Sequence, residues 1–280
     1  MFLFTSTSQA AVQHDIEYCR AGDLSLRLDA SIPDSPGPHP AVILVHGGAW
    51  VSGDRVHTVA PLFAPLENAG FAWFSVSYRF ASDLLALGTA VDDVQEAVRF
   101  VRANASRFHI DPERLALVGE SAGAQLAQMA AARLPRESSV KAIVALYSPT
   151  DLVSLAQTSP LVPPPIREAI KGTMFAEVAL AFLRSLSPIA NINPQLPPTL
   201  LIHGTEDSVV PFDQSVRYCD SLKANHVPCE LYAVKGGEHG IRSWRALKND
   251  NYQQHLLDWL QKYTTHGVET GAAISKDKRS

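Results

Sequence analysis

The sequence lacks any apolar run of the roughly 18 residues that a helix needs to cross a bilayer. It also lacks a basic stripe that would neutralise a nucleic-acid backbone, since its 24 Lys and Arg are outnumbered by 28 Asp and Glu and the net charge is −4. A membrane span and a nucleic-acid partner are therefore not expected. Of the 280 residues, 46% are hydrophobic and 19% are charged, which is typical of a globular protein and excludes collagen-like, coiled-coil and disordered chains.

Cysteine is scarce, and the three residues Cys19, Cys219 and Cys229 are too few for a disulfide scaffold. Cys219 and Cys229 would pair if the predicted helix and strand that carry them meet, but three unpaired buried thiols are the favoured interpretation. The Ser-Gln-Ala stretch at residues 8–10 resembles a signal-peptidase site, and a frayed N-terminus explains it equally well. The compartment, cytoplasmic or secreted, therefore stays open.

Hydrophobic patterning predicts an α/β fold. Residues 24–30 alternate between apolar and polar side chains and, with residues 13–18, predict an antiparallel hairpin at a sheet edge. Later strands are continuous apolar runs, as in parallel sheets buried on both faces; these runs cover residues 41–45, 71–76, 115–118, 142–146 and 199–202. Segments with helical spacing separate them, which predicts right-handed crossovers and one central, mostly parallel sheet.

One connection in this pattern is unusually long. About fifty residues separate the run ending at Leu146 from the run starting at Thr199, and residues 166–184 read as helical. We expect a cap inserted at about residues 151–190, over the carboxyl ends of the strands, with Asp151 capping its first helix. The chain 1–280 is otherwise expected to form a single domain with a mobile tail at about 264–280.

The strongest chemical signal is Gly119-Glu120-Ser121-Ala122-Gly123, between the strand at 115–118 and a predicted helix. In that context the G-x-S-x-G pattern is typical of a nucleophile elbow, in which a sharp turn lifts the serine above the sheet. The alternative is a glycine-rich turn whose serine only caps the helix. We predict that Ser121 is a nucleophile.

A second motif, His46-Gly47-Gly48-Ala49-Trp50, directly follows the first parallel strand. A serine that attacks an acyl carbon creates an oxyanion, which preorganised N–H donors must stabilise. We predict an oxyanion hole formed by Gly48, Ala49 and the elbow residue Ala122, with Gly47 contributing through the loop geometry. His46 is assigned a structural role, because another histidine fits the general base better.

That histidine is His239, in the loop Gly236-Gly237-Glu238-His239-Gly240. Asp207, on the loop after the strand at 199–202, is predicted to orient it, with Glu206 as the alternative acid. The chain order is Ser121, then Asp207, then His239, which is the order expected for a catalytic triad on the α/β-hydrolase fold.

With these motifs the chain resembles the α/β-hydrolase superfamily over most of its length. Its oxyanion loop, elbow and acid loop are similar to those of hormone-sensitive-lipase-like and bacterial feruloyl-esterase-like carboxylesterases. The resemblance implies an α/β-hydrolase fold with a sheet of about eight strands, flanking helices and a helical cap insertion. It also implies ester hydrolysis without a metal or cofactor. Ala49 and Ala124 depart from the pattern, since many relatives have glycine there.

The substrate pocket is less well indicated. Trp50 is predicted either to stack on an aromatic acyl group or to pack the oxyanion loop against the sheet. Tyr78, just past a predicted strand end, is a candidate for the alcohol side of the pocket, although an ordinary core or rim position is the favoured interpretation. Phe175, Phe182 and Leu183 either wall the acyl pocket or take part in ordinary helix packing, which their spacing favours.

The sequence favours a serine carboxylic-ester hydrolase acting on acetyl, short-chain or feruloyl esters through an acyl-enzyme. An amide hydrolase such as an aryl formamidase is the alternative, because the same oxyanion loop serves that reaction. A non-catalytic binding protein on this fold is the third interpretation, which a complete triad disfavours. The expected partner is a small-molecule ester, and the expected assembly is a monomer or a small homo-oligomer.

Overall fold

The structure is a computed structural model that describes residues 11–83, 86–159, 174–247 and 251–264. In this part of the chain, eight strands form one sheet in the order β1-β2-β4-β3-β5-β6-β7-β8. The strands are β1 (Gln13–Ala21), β2 (Leu24–Ser31), β3 (His39–Val45), β4 (Ala72–Val76), β5 (Ile110–Glu120), β6 (Ala142–Leu146), β7 (Thr199–Gly204) and β8 (Cys229–Val234). The helices are α1 (Phe63–Asn68), α2 (Ala86–Ala103), α3 (Ala122–Arg133), α4 (Leu152–Thr158), α5 (Met174–Ser185), α6 (Asp213–Ala224), α7 (Ile241–Trp244) and α8 (Tyr252–Thr264).

The predicted hairpin forms one edge of the sheet. Strands β1 and β2 are antiparallel, and β2 continues antiparallel to β4. In β2, Leu26 and Leu28 are buried while Arg27 between them is exposed, so the two-residue period reflects a strand with one solvent-facing side.

From β4 to β8 all neighbouring strands are parallel. Each residue of β3, β4 and β6 is buried, as the continuous apolar runs predicted. Parallel strands place their carboxyl ends at one edge of the sheet, so the loops that follow Val45, Glu120, Gly204 and Val234 meet there. The motifs singled out in the sequence lie on these four loops.

Helices cover both faces of the sheet. Ile43 faces a core cluster that includes Val94 of α2 and Leu126 of α3, whereas its neighbour Leu44 faces a second cluster that includes Leu256 of α8. The alternation of side chains along a strand explains why consecutive residues serve opposite cores. None of the helices in the described ranges combines the length and the apolar character that a membrane crossing requires.

Two helices of the predicted insertion are described, α4 and α5. The Asp151 carboxylate accepts a hydrogen bond of 3.0 Å from the Ser154 N–H and so caps α4, as expected. Phe182 and Leu183 of α5 pack against the core beside α3. Residues 160–173, the Phe175 side chain, residues 8–10 and the predicted tail beyond residue 264 lie outside what the structure describes.

The pairing of the cysteines differs from the expectation drawn from the sequence. Cys219 on α6 and Cys229 on β8 form a disulfide, with their Cα atoms 5.6 Å apart. The expectation of three unpaired thiols was wrong for this pair because α6 packs directly on β8 and both side chains are buried in that contact. Cys19, on β1, is a free thiol.

We predict that replacing both bonded residues in a Cys219→Ala/Cys229→Ala variant lowers the free energy of unfolding by about 3 kcal/mol, because the bond closes a short loop in the unfolded chain. For a chain of this length that loss lowers the Tm by about 5 °C. Thermal unfolding with and without a reductant measures it, with Cys19→Ser as the matched control. An unchanged Tm in the double variant, or a wild-type Tm insensitive to reductant, would contradict the prediction.

Candidate active site

Ser121 stands on the sharp turn between β5 and α3. Its φ of 51° and ψ of −122° form a strained backbone conformation for a residue with a side chain. The turn is so tight that a Cβ at Gly119 would lie 2.5 Å from the Gly123 carbonyl oxygen, and a Cβ at Gly123 would lie 2.2 Å from the His46 carbonyl oxygen. Only glycine fits at either position, and Ser121 is held at the carboxyl edge of the sheet as a consequence.

Three predicted site residues form one continuous chain of hydrogen bonds. The Ser121 Oγ atom lies 2.9 Å from His239 Nε2, and His239 Nδ1 lies 2.7 Å from Asp207 Oδ2. Glu206, the alternative acid, is exposed and is not brought to His239. The arrangement links a hydroxyl through an imidazole to a buried carboxylate, which is the geometry of a base that removes a serine proton.

Asp207 is a strong hydrogen-bond acceptor at one end of that chain. Its Oδ1 atom accepts the N–H groups of Val209 at 2.9 Å and Val210 at 2.8 Å, while His203 Nε2 lies 3.2 Å from Oδ2. Burial raises the pKa of Asp207, but hydrogen bonds from His203 and His239 outweigh burial and hold that pKa well below its usual range. The carboxylate therefore stays ionised at neutral pH and holds a proton on His239 Nδ1.

His203 is a supporting residue that sequence reasoning missed. It is fully buried at the end of β7, where Nε2 lies 2.9 Å from the Val210 carbonyl oxygen and Nδ1 lies 2.7 Å from Ser215 Oγ. These contacts orient its ring toward Asp207. The sequence does contain a signal for this role: His203 lies at the end of an apolar strand, and a polar side chain buried there needs hydrogen-bond partners.

The loop after β3 has an irregular backbone. Gly48, Ala49 and Trp50 have φ values of 121°, 52° and 64°, and a Cβ at Gly48 would lie 2.0 Å from the Ser52 carbonyl oxygen. Within the described residues, the N–H groups of Gly48 and Ala49 have no acceptor. The N–H of Ala122, the first residue of α3, belongs to a helix N-terminus and has no intrahelical partner. These three donors border the turn that carries Ser121.

Gly47, the fourth predicted oxyanion residue, differs from the other three. Its N–H donates to Glu120 Oε1 at 3.3 Å and so is already occupied. Glu120 is buried directly before Ser121, and its other oxygen accepts a hydrogen bond from the Tyr147 hydroxyl. Burial raises the pKa of Glu120, although the bonds from Tyr147 and Gly47 oppose that shift. Gly47 lines the cavity, but its N–H anchors the loop to Glu120 and is not a free donor.

Tyr147 extends the same connection to the loop that carries His239. Its hydroxyl oxygen accepts the Ile241 N–H at 3.2 Å, and its ring meets the His239 ring edge-on at 4.8 Å between centroids. Glu120 and Tyr147 together join the oxyanion loop, the elbow and the His239 loop beneath Ser121. No role was predicted for either residue from the sequence, although an acid inside the elbow motif indicates a carboxyl group close to the site that needs hydrogen-bond partners.

His46 and Tyr78 lie behind the oxyanion loop. Their rings stack at 4.4 Å, and the Tyr78 hydroxyl donates to the His46 carbonyl oxygen at 3.0 Å. Burial lowers the pKa of His46, so this ring is neutral and serves the structural role assigned to it. Tyr78 is only 4% exposed and does not line the cavity at Ser121, so its expected place on the alcohol side is not where the structure has it.

Two cavities meet at Ala49. One, of about 520 Å³, is lined by Ser121, His239 and Arg242 among others. The other, of about 220 Å³, is apolar and lies between Trp50, α4 and Leu183. Trp50 also donates from Nε1 to Gln125 Oε1 at 2.9 Å, which packs the loop against α3, so its ring serves the loop and the apolar cavity together. The described residues include no cluster of three side chains suited to a metal ion.

The family follows from a match of residues 28–222 to the BD-FAE family model. The chain belongs to the BD-FAE family. It is also similar to two curated proteins of Mycobacterium tuberculosis, a probable carboxylic ester hydrolase LipM, 28% identical over 74% of this chain, and esterase LipC, 30% identical over 73%. The aligned region covers 50% and 53% of those proteins, so this BD-FAE chain spans about half the length of the curated relatives it matches.

Solved structures share the fold. A truncated carbohydrate esterase from gut microbiota aligns with a TM-score of 0.74 and 24% identity over 94% of this chain and 99% of that one. The butyrate-bound esterase Est2 of Thermogutta terrifontis aligns with a TM-score of 0.72 and 24% identity over 95% and 98%. The α/β-hydrolase fold predicted for this BD-FAE member is therefore confirmed.

We predict that Tyr147→Phe destabilises this BD-FAE protein by about 1–3 kcal/mol, because it leaves the Ile241 N–H and one Glu120 oxygen buried without their partner. Urea unfolding followed by tryptophan fluorescence measures the change. Tyr263→Phe, which removes a hydroxyl from α8 far from the site, is the matched control. A free energy of unfolding equal to that of the control would contradict the role given to the Tyr147 hydroxyl.

Proposed function

We propose that this protein is a serine carboxylic-ester hydrolase that cleaves small acyl or aryl esters through an acyl-enzyme. The observation that carries the proposal is the continuous hydrogen-bonded chain from Ser121 through His239 to Asp207. Next to it lie the N–H groups of Gly48 and Ala49, which have no acceptor among the residues that the structure describes. The ester-hydrolase names of LipM and LipC, relatives at 28% and 30% identity, support the same reaction class.

In the first half-reaction, His239 Nε2 accepts the hydroxyl proton of Ser121 as Oγ bonds to the ester carbonyl carbon. The carbonyl π electrons move to the oxygen, which becomes an oxyanion held by the N–H groups of Gly48, Ala49 and Ala122. When the oxyanion collapses, the bond to the alcohol oxygen breaks and His239 gives its proton to that oxygen. The free alcohol leaves, and the acyl group stays on Ser121.

In the second half-reaction, His239 takes a proton from water while the water oxygen attacks the acyl carbon. A second oxyanion forms and collapses, the Ser121 Oγ leaves with the proton from His239, and the carboxylic acid is released. Asp207 remains ionised throughout, so it orients the imidazole and stabilises its charged form in both steps.

The two cavities indicate where the alcohol part and the acyl part of the ester bind. Because His239 must protonate the leaving alcohol, the alcohol part lies on the His239 side of Ser121, in the larger cavity. The acyl part then points away from His239, toward Ala49 and the apolar cavity behind it. Apart from Ser159, that cavity is lined by aliphatic side chains and by Trp50, which suits a short aliphatic or an aromatic acyl group.

We predict that Ser121→Ala lowers kcat/KM for p-nitrophenyl acetate by at least about 10³-fold, since the nucleophile is lost while the fold is kept. Spectrophotometric turnover and intact-mass detection of fluorophosphonate labelling measure it. Ser185→Ala, at an exposed position of α5, is the matched control and should hydrolyse and label like the wild type. Full activity or full labelling of Ser121→Ala would contradict the proposal.

The acyl assignment has its own test. We predict that Ala156→Phe, which fills the apolar cavity from α4, lowers kcat/KM for p-nitrophenyl butyrate about tenfold more than for p-nitrophenyl acetate, because a longer chain needs the space that the ring occupies. Gln157→Phe introduces the same side chain at a neighbouring position of α4 that does not line the cavity. An equal loss for both esters would mean that the acyl chain lies elsewhere.

A further inference from the structure

Arg242 stands in the wall of the larger cavity, three residues after His239. We propose that Arg242 is a specificity-determining residue that binds a carboxylate carried by the alcohol portion of the ester. The proposal rests on the proposed function, because it uses the direction in which the alcohol leaves. It adds a substrate class to that function: esters whose leaving alcohol or phenol is itself an anion.

The role of His239 determines which part of the ester meets Arg242. A base that protonates the leaving oxygen must touch it, so the atoms attached to that oxygen extend along the wall next to His239. This wall is formed by Gly240, Ile241, Arg242 and Ser243, and it borders the same cavity as Ser121. A substituent on the alcohol therefore meets the Arg242 side chain and not the apolar cavity beyond Ala49.

A backbone carbonyl group, and not a carboxylate of the described residues, holds the Arg242 guanidinium. Its Nη2 atom donates to the His57 carbonyl oxygen at 2.6 Å, and no carboxylate of the described residues forms an ion pair with it. By contrast, Arg55 and Arg79 are paired with Asp29 and Asp93. The carbonyl contact steadies the guanidinium without cancelling its charge, and in the described part of the chain the other N–H groups of Arg242 have no acceptor.

One acid of the cavity, Glu120, interacts electrostatically with Arg242, but no ion pair joins these two described residues. Among its described lining residues, Arg242 is the one lysine or arginine and Glu120 the one acid. Both oxygens of Glu120 are already occupied, by the Gly47 N–H and the Tyr147 hydroxyl. A guanidinium presents parallel N–H donors that match the two oxygens of a carboxylate, so the expected ligand is a carboxylate and not a cation or an alkyl chain.

The test compares matched acetate esters. The anionic substrates are 3- and 4-acetoxybenzoate, and the neutral ones are the corresponding acetoxybenzamides, which have similar size and the same acetyl group. We expect Arg242→Gln to lower the ratio of kcat/KM for the anionic ester to that for the neutral ester about tenfold, because intrinsic reactivity cancels in the ratio. Arg245→Gln, an exposed arginine on the same segment outside the cavity, should keep the wild-type ratio.

Two further measurements separate charge from shape. Arg242→Lys should retain part of the preference, since it keeps the charge and loses the paired donors, and added salt should weaken the preference of the wild type. An NMR titration of Ser121→Ala with 4-acetoxybenzoate reports binding without turnover, and adding Arg242→Gln should weaken that binding about tenfold.

The outcomes distinguish this inference from the proposed function. A ratio that is the same in Arg242→Gln as in the wild type, while both hydrolyse the neutral ester, overturns the role of Arg242 and leaves ester hydrolysis intact. Inertness of the wild type to all four esters counts against the proposed function. In that case the titration still decides whether Arg242 binds the carboxylate, since equal affinity with arginine and glutamine at position 242 overturns the inference.

Discussion

The backbone of Gly123 lies against the carbonyl groups of Val45 and His46, where a Cβ would come within 2.3 and 2.2 Å of their oxygens. This contact brings the first turn of α3 against the end of β3, so the loop after β3 and the elbow after β5 share one small volume. A larger residue at position 123 would separate the strained serine from the donors of Gly48 and Ala49, and the other contacts of the site depend on that proximity.

A buried acid then connects the loops that the glycine brings together. Burial of a carboxyl group is unfavourable on its own, and here it is offset by hydrogen bonds from the Gly47 N–H and the Tyr147 hydroxyl. Tyr147 in turn accepts the Ile241 N–H. Because each of these groups already has its partner inside the protein, the donors and the imidazole are oriented before a ligand arrives, which is the condition under which electrostatic stabilisation is strongest.

The site is asymmetric across Ser121. On one side, Ala49 and Trp50 border an apolar space next to α4 and α5, and on the other side His239 is followed by the polar and charged wall that contains Arg242. The asymmetry originates in the topology. The apolar cavity is bounded in part by α4 and α5, in the connection after β6, whereas the larger cavity is bounded by the segment after β8, which carries His239 and continues into α7 with Arg242.

Local sequence determined the elements and the order of the motifs. Continuous apolar runs predicted the buried parallel strands, alternation predicted the edge hairpin, and the elbow pattern put Ser121 between a strand and a helix, because each of these signals depends on neighbours in the chain. Tertiary structure alone decided that Gly47 is anchored by Glu120 and that Tyr78 is buried behind His46. It also decided that Cys219 meets Cys229 and that His203 supports Asp207. Gly47 and Glu120 are 73 residues apart and Tyr78 and His46 are 32 apart, so no local pattern of residues encodes those contacts. Cys219 and Cys229 are only 10 residues apart, and His203 and Asp207 only four, but whether their side chains meet depends on how the helix and the loop fold back on the sheet.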